Sequence, residues 1–353
     1  MSPIAPIPWQ AGDLLEDHGE MTHLHRQQDG KRDGIDSLST PPLFAALSGS
    51  RRVLVAGAGG GFDVYAGLPL AMALVDLGAE VHLANLAFTQ LDLLDLDVWI
   101  AENVAAVGPD TAGCDDYFPE RALSRWLAGN DLPSTVYAFP RVGVQPLRDA
   151  YRWLADHLGV DAIVLVDGGT DILMRGDESH LGTPVEDMTS LAAVAGLDIA
   201  TKLVTCLGFG IDAYHGVNHT QVLENLAALD RDGGYLGALS IPGASREATM
   251  YRDAVAAAQT ATPLRPSIVQ GQIAAATRGA CGDVQFTQRT RGSTLFVNPL
   301  MAIYFTVDLD ALAARSLYLD RLEHTLDMQQ VALHIEEFRY DLTATRPPHA
   351  FPH

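Results

Sequence analysis

Three short stretches concentrate residue types that core packing does not ask for. GAGGGFD (57–63) places four glycines within five positions ahead of an aspartate. DGGTDILMRGDESHLGTPVED (167–187) carries six carboxylates in 21 residues: Asp167, Asp171, Asp177, Glu178, Glu186 and Asp187. LGFGIDAYHGVNH (207–219) supplies Asp212, His215 and His219. Glycine-rich backbone between a strand and a helix can approach a phosphate or carboxylate and offer it free N–H groups. Clustered carboxylates suit a hard divalent cation or proton transfer. A histidine, with an ordinary pKa near ~6.5, suits general-base work at neutral pH.

In the first stretch, Gly59, Gly60 and Gly61 are the expected anion cradle; the alternative is a tight strand-to-helix turn with no ligand. Asp63 is odd beside an anion and is expected to hold a metal, meet a sugar hydroxyl, or simply face the helix dipole favourably. Known cofactor fingerprints fit poorly. For NAD, Gly57 and Gly59 match, but Phe62 stands at the sixth position and the second strand ends in Asn85 instead of an acidic residue. For S-adenosylmethionine, the usual acidic residue two positions before the first glycine is Val55. No Gly-Lys-Ser/Thr follows, which excludes a Walker A loop.

In the second stretch, Asp167 ends a strand and Asp171 follows Gly168, Gly169 and Thr170, so these five are the expected ligand contacts at the sheet edge. Thr183-Pro184-Val185-Glu186 reads as a capping box, which leaves Asp187 as a first-turn residue favoured by the dipole. Asp177 and Glu178 read as solvated loop charges. Arg175 is either an anion clamp or their ion-pair partner. In the third stretch, Asn218 with Gln221 reads as a helix cap, so His219 falls in the first turn and His215 in the loop before it. Gly216 interrupts the four-residue histidine spacing, which weakens a metal reading. Cys206 sits in an apolar strand and reads as core.

The elements around these stretches alternate. Strands are expected at 52–57, 79–85, 134–140, 161–169, 201–210 and 234–241, with two late ones within 294–307. Helices are expected at 64–78, from the nineties to Val107, and at 118–129, 145–159, 183–196, 218–230, 245–259, 266–279 and 320–340. The alternation predicts an α/β fold, a doubly wound and mostly parallel sheet with helices on both faces. Each chemical stretch then follows the carboxyl end of a strand, where open α/β sheets bind ligands. Residues 1–42 read as a mobile arm, 50–342 as one α/β domain, and 343–353 as a flexible tail.

Composition narrows the partners. The 353 residues are 48% hydrophobic and carry 44 Asp plus Glu against 23 Lys plus Arg, a formal charge of −21. Such a surface repels nucleic acid and anionic membrane, and no apolar run approaches the ~20 residues of a membrane span. Cys114, Cys206 and Cys281 are widely spaced, which fits a reducing compartment. The N-terminus lacks the pattern of a secretory signal, so a cytoplasmic location is expected.

VLVAGAGGGFDVYAGLPLAMAL (53–74), VLVDGGTDILMRGDESHLGTPVEDM (164–188) and AIYFTVDL (302–309) together resemble the family known as domain of unknown function 1152. The resemblance implies a Rossmann-like fold and no settled activity. FDVYAGLPLAMALVDLGAEVHLA (62–84) is also similar to the opening of the first domain of two-domain glycosyltransferases, but their nucleotide-sugar-binding half is not evident. The functional expectation is an enzyme for a small phosphorylated or nucleotide-like anionic metabolite, acting by hydrolysis or group transfer. Gly59–Gly61, Asp167, Gly168, Gly169, Thr170, Arg175 and Asp212 would bind; Asp171, His215 and Asp63 would catalyse; Mg²⁺ is a candidate cofactor. The alternatives are a non-catalytic sensor or accessory protein, and an NAD- or S-adenosylmethionine-dependent enzyme with an atypical glycine loop. A homo-oligomer is left open.

Overall fold

The computed structural model describes residues 39–350 except 286, 288, 289, 291 and 293–295. In chain order its elements are α1 (Pro42–Leu47), β1 (Arg52–Gly57), α2 (Asp63–Ala66), α3 (Leu68–Asp76), β2 (Glu80–Leu86), β3 (Trp99–Ala101), β4 (Val104–Val107) and α4 (Pro119–Gly129). There follow β5 (Val136–Phe139), α5 (Val144–Leu158), β6 (Ala162–Asp167), α6 (Pro184–Ala195), β7 (Thr201–Cys206), α7 (His219–Arg231), β8 (Tyr235–Ser240), α8 (Arg246–Ala261) and α9 (Ile268–Ala276). The chain closes with β9 (Gly282–Asp283), β10 (Phe296–Val297), β11 (Ile303–Asp308), α10 (Leu309–Arg315), α11 (Leu319–Leu322) and α12 (Met328–Asp341).

The main sheet runs β3-β4-β5-β2-β1-β6-β7-β11-β8. Its central strands β5, β2, β1, β6 and β7 are parallel. The flanks are antiparallel, β3 and β4 beyond β5 and β11 and β8 beyond β7. From β1 the chain moves outward through β2 to β5, then returns to place β6 on the other side of β1. The order therefore reverses between β1 and β6, the kind of switch point beside whose carboxyl ends open α/β sheets bind ligands. This is a Rossmann-like, doubly wound α/β sheet.

β6 is apolar throughout until Asp167 because helices cover both of its faces, and every one of its residues is buried. The pleat sends alternate residues of β1 to opposite sides. Leu54 and Ala56 join the core built with α5, α6, α7, α10 and α12. Val53 and Val55 join the core built with α3, α4, α8 and α9.

Several expectations need correction. The helix expected at 64–78 breaks at Gly67 into α2 and α3; a Cβ on Gly67 would stand 2.5 Å from Val55 Cγ1, so the glycine lets α2 press onto β1. The segment from the nineties to Val107 is not a helix. It holds two 3₁₀ turns, Leu91–Leu93 and Leu96–Val98, and the β3–β4 hairpin; β-branched and aromatic residues at 98–107 favour pairing over helix. α5 begins one residue earlier than expected, at Val144. Of the late strands, β11 lies antiparallel inside the main sheet, and residues 294–295 fall outside the described residues. The closing helix is two, α11 and α12.

Residues 1–38 of the expected arm lie outside the described residues. The stretch after Thr343 is tied down: Arg346 forms ion pairs with Asp177, Glu178 and Glu224, and the His349 carbonyl accepts hydrogen bonds from Asn218 and Thr220. Among the described residues no helix is long and apolar enough to cross a membrane.

Ile163 lies fully buried in central strand β6. Ile163→Ala is expected to remove ~2–5 kcal/mol of stability, measured by urea unfolding; a loss within ~0.5 kcal/mol would mean that the core collapses around the missing atoms.

Candidate functional site

Five aspartates converge at this switch point. Asp63 opens α2 after β1, Asp167 ends β6, Asp171 lies in the loop behind it, Asp212 follows β7, and Asp187 reaches in from the first turn of α6. Asp167, Asp171, Asp187 and Asp212 are buried, and Asp63 is partly exposed. One carboxylate oxygen from each of Asp63, Asp167 and Asp187 lies within 4.8 Å of the others.

The glycines make room for these carboxylates. A Cβ on Gly59 would stand 2.5 Å from Asp187 Oδ1 and 2.6 Å from Asp63 Oδ2. One on Gly168 would stand 2.9 Å from Asp63 Oδ1, and one on Gly169 2.6 Å from Asp212 Oδ2. One on Gly182 would overlap Asp171. Gly60 serves another purpose: at φ +90° it lies under the ring of Phe88, 2.5 Å from where its own Cβ would be.

Two amides of the expected anion cradle are engaged within the protein. The Gly59 and Gly168 N–H groups are turned toward the Asp63 carboxylate and favour its charged form, and the Gly61 N–H donates to the Leu86 carbonyl at 3.2 Å. Asn85 holds the turn from β2. Its Nδ2 donates to the Gly61 carbonyl at 2.8 Å and to Glu120 at 2.6 Å, and its Oδ1 accepts from the Val64 N–H. Glu120, completely buried, also accepts from Thr89. The side chain that counted against NAD is therefore a positioning residue for the turn.

The other expected residues divide. Thr170 N–H donates to Asp212 at 2.7 Å. Asp171 accepts from both the N–H and the hydroxyl of Thr183, at 2.8 and 3.1 Å. Thr183 thus makes no side-chain cap, and Glu186 pairs with Arg141, so the expected capping box is not formed. Arg175 stands off the cluster, 3.6 Å from Asp177. Glu178, expected as a solvated charge, is completely buried and accepts from Arg175 N–H, Gly176 N–H, Asn225 and Arg346. His215 is exposed, near enough to Asp171 to favour its charged form. His219 opens α7 with its ring against Phe209, and Cys206 is buried in the sheet.

Asp187 was missed because its position in a first turn has a sufficient local explanation. The signal was in the residues after it: MTSLAAVA offers no charged face, so the helix is covered nearly all round, and Asp187 to Val194 are buried without interruption.

Burial and mutual repulsion dominate the electrostatics. Asp63 is pushed up from 3.8 to about 8, by desolvation first and the Asp171 charge second. Asp167, Asp187 and Asp212 also rise by desolvation first; the leading repelling charge is that of Asp171 for Asp167 and Asp212, and that of Asp167 for Asp187. Asp171 rises by desolvation against the opposing pull of Thr183. Asp167 Oδ2 and Asp187 Oδ1 accept no hydrogen bond although both are buried. Buried carboxylate oxygens left this way call for a proton or a cation. Mg²⁺ holds oxygens at ~2.1 Å, which sets neighbouring ligands about 3–4 Å apart, a spacing compatible with Asp63, Asp167 and Asp187.

The family model described as "Protein of unknown function (DUF1152)" matches residues 98–340, more than half of the chain. The chain belongs to that family. No curated protein and no solved structure matches it. The DUF1152 match includes Asp167, Asp171, Asp187 and Asp212 but begins after Asp63 and the glycine turn.

The raised carboxyls give a signed pH dependence. A group whose folded value exceeds its unfolded one holds its proton more tightly in the folded chain, so its contribution is full below the unfolded value and disappears as pH rises through the folded one. Chelator-treated protein is expected to lose stability steadily between pH 5 and 8, checked by urea unfolding at both. Stability that rises over that interval would contradict the electrostatic account.

Proposed function

We propose that this chain binds a Mg²⁺- or Mn²⁺-type cation between Asp63, Asp167 and Asp187 and catalyses hydrolysis or group transfer on a small phosphorylated or nucleotide-like metabolite. The observation that carries the reading is the pair of unpartnered, buried oxygens on Asp167 and Asp187, beside Asp63 at the reversal of strand order. A divalent cation would offset the burial and mutual repulsion that disfavour the charged forms of these carboxyls. When bound, it polarises a phosphoryl or comparable oxygen and offsets developing negative charge.

The protein's own residues supply the rest. Gly59 and Gly168 let Asp63 approach the other ligands and orient it through their amides. Asp171, fixed by Thr183, is the acid–base group beside the cluster. His215 lies at the exposed rim near Asp171 as the second acid–base candidate. The glycine turn therefore acts by making space for carboxylates.

Titration calorimetry with Mn²⁺ tests the metal ligands. Asp187→Asn is expected to weaken binding by roughly ten-fold or more, in line with the strength of charged contacts. Unchanged binding would remove Asp187 from the site. Asp171→Asn is expected to keep Mn²⁺ and lose roughly 10²-fold or more in turnover on a panel of phosphate esters and nucleotides. Tight Mn²⁺ binding with no turnover on that panel by the unaltered protein would favour a sensor.

A further inference from the structure

The cluster described above is built from negative charge, and the chain as a whole carries −21. An anionic substrate needs a positive group besides the cation. Several arginines near the loop are already committed. Arg346 serves three carboxylates, Arg339 donates to the carbonyls of Gly176, Glu178 and Ser179, and Arg175 leans on Asp177.

Arg141 differs. It follows β5 by two residues, on the same carboxyl edge as the glycine turn. Its guanidinium lies 5.2 Å from the centre of the Phe88 ring, and that ring covers Gly60. Arg141 Nη2 donates to Glu186 Oε1 at 2.5 Å. Glu186 immediately precedes Asp187 and is close enough to add to the charge acting on Asp63. The Arg141 side chain is 52% exposed, whereas that of Glu186 is 13% exposed. One end of the fork is thus held at the rim of the cluster, its plane steadied by an aromatic face, while the rest faces solvent.

We infer that Arg141 is the anion-binding residue of this site, gripping the phosphate of a substrate whose other oxygens face the cation. The inference rests on the metal reading above and gives the substrate class a protein contact. A guanidinium can hold two phosphate oxygens at once, which an ammonium cannot. Glu186 is the resting partner that the phosphate replaces; a phosphate dianion offers the fork more charge and more acceptors than one carboxylate. Phe88 keeps the guanidinium oriented during that exchange.

Calorimetry on the full chain, with inorganic phosphate titrated into Mg²⁺-saturated protein, tests this. Arg141→Gln is expected to weaken phosphate binding by roughly ten-fold or more, while Mg²⁺ affinity measured without phosphate stays within about two-fold. Arg141→Lys should recover only part of the loss, and Glu186→Gln should tighten phosphate binding by removing its competitor. Equal phosphate affinity in Arg141→Gln and the unaltered chain, or no phosphate binding by either, overturns the assignment. Should Mg²⁺ fail to bind, the metal reading falls, and phosphate is titrated into metal-free protein. A loss confined to the Arg141 variants then still supports the role of Arg141, and equal affinities overturn it.

Discussion

Repulsion among buried carboxylates is the constraint around which this molecule is arranged. Asp63, Asp167, Asp171, Asp187 and Asp212 occupy the carboxyl ends of β1, β6 and β7 and the start of α6, where each raises the cost of ionising its neighbours. A fold does not keep such a group together without compensation. Part of it is visible in the protein: amides of Gly59, Gly168, Gly169 and Thr170 and both donors of Thr183 point at the carboxylates. The unpartnered oxygens mark where protein donors stop and where a cation is proposed.

The surrounding frame holds this arrangement from several directions. The parallel strands fix the spacing of Asp63 and Asp167 through continuous pairing of β1 with β6. Asn85 and Glu120 fasten the glycine turn from the β2 side. The loop from Met174 to Gly182 is pinned by Glu178 within, by Arg339 from α12 and by Arg346 beyond it. Residues near the C-terminus therefore contribute to positioning Asp171, since Gly182 and Thr183 at the end of that loop lie against its carboxylate.

Much of this was legible in the sequence, for identifiable reasons. Apolar runs such as AIVLVD announce buried parallel strands, and a turn of glycines after RVLVAG announces the carboxyl edge. Those signals, together with TKLVTC ahead of Asp212, put Asp63, Asp167, Asp171 and Asp212 at one sheet edge. The purpose of the glycines was less readable, because a glycine admits an approaching group without saying whether that group is a substrate or the protein's own side chain. Local rules also misled where tertiary contacts outweighed them. Thr183 and Glu186 satisfy a capping pattern, yet Asp171 and Arg141 claim them. Arg141 and Phe88 carry no local signal, since only the order of β5, β2 and β1 brings them to the rim.

The central claim concerns one place, the space among Asp63, Asp167 and Asp187. Crystals grown with Mn²⁺ near neutral pH, with anomalous data collected at the manganese edge, test it most directly. The account predicts an anomalous peak bound by oxygens of all three aspartates at about 2.1–2.3 Å. Peaks confined to surface carboxylates, with this space filled by hydrogen-bonded protonated aspartates, would contradict it.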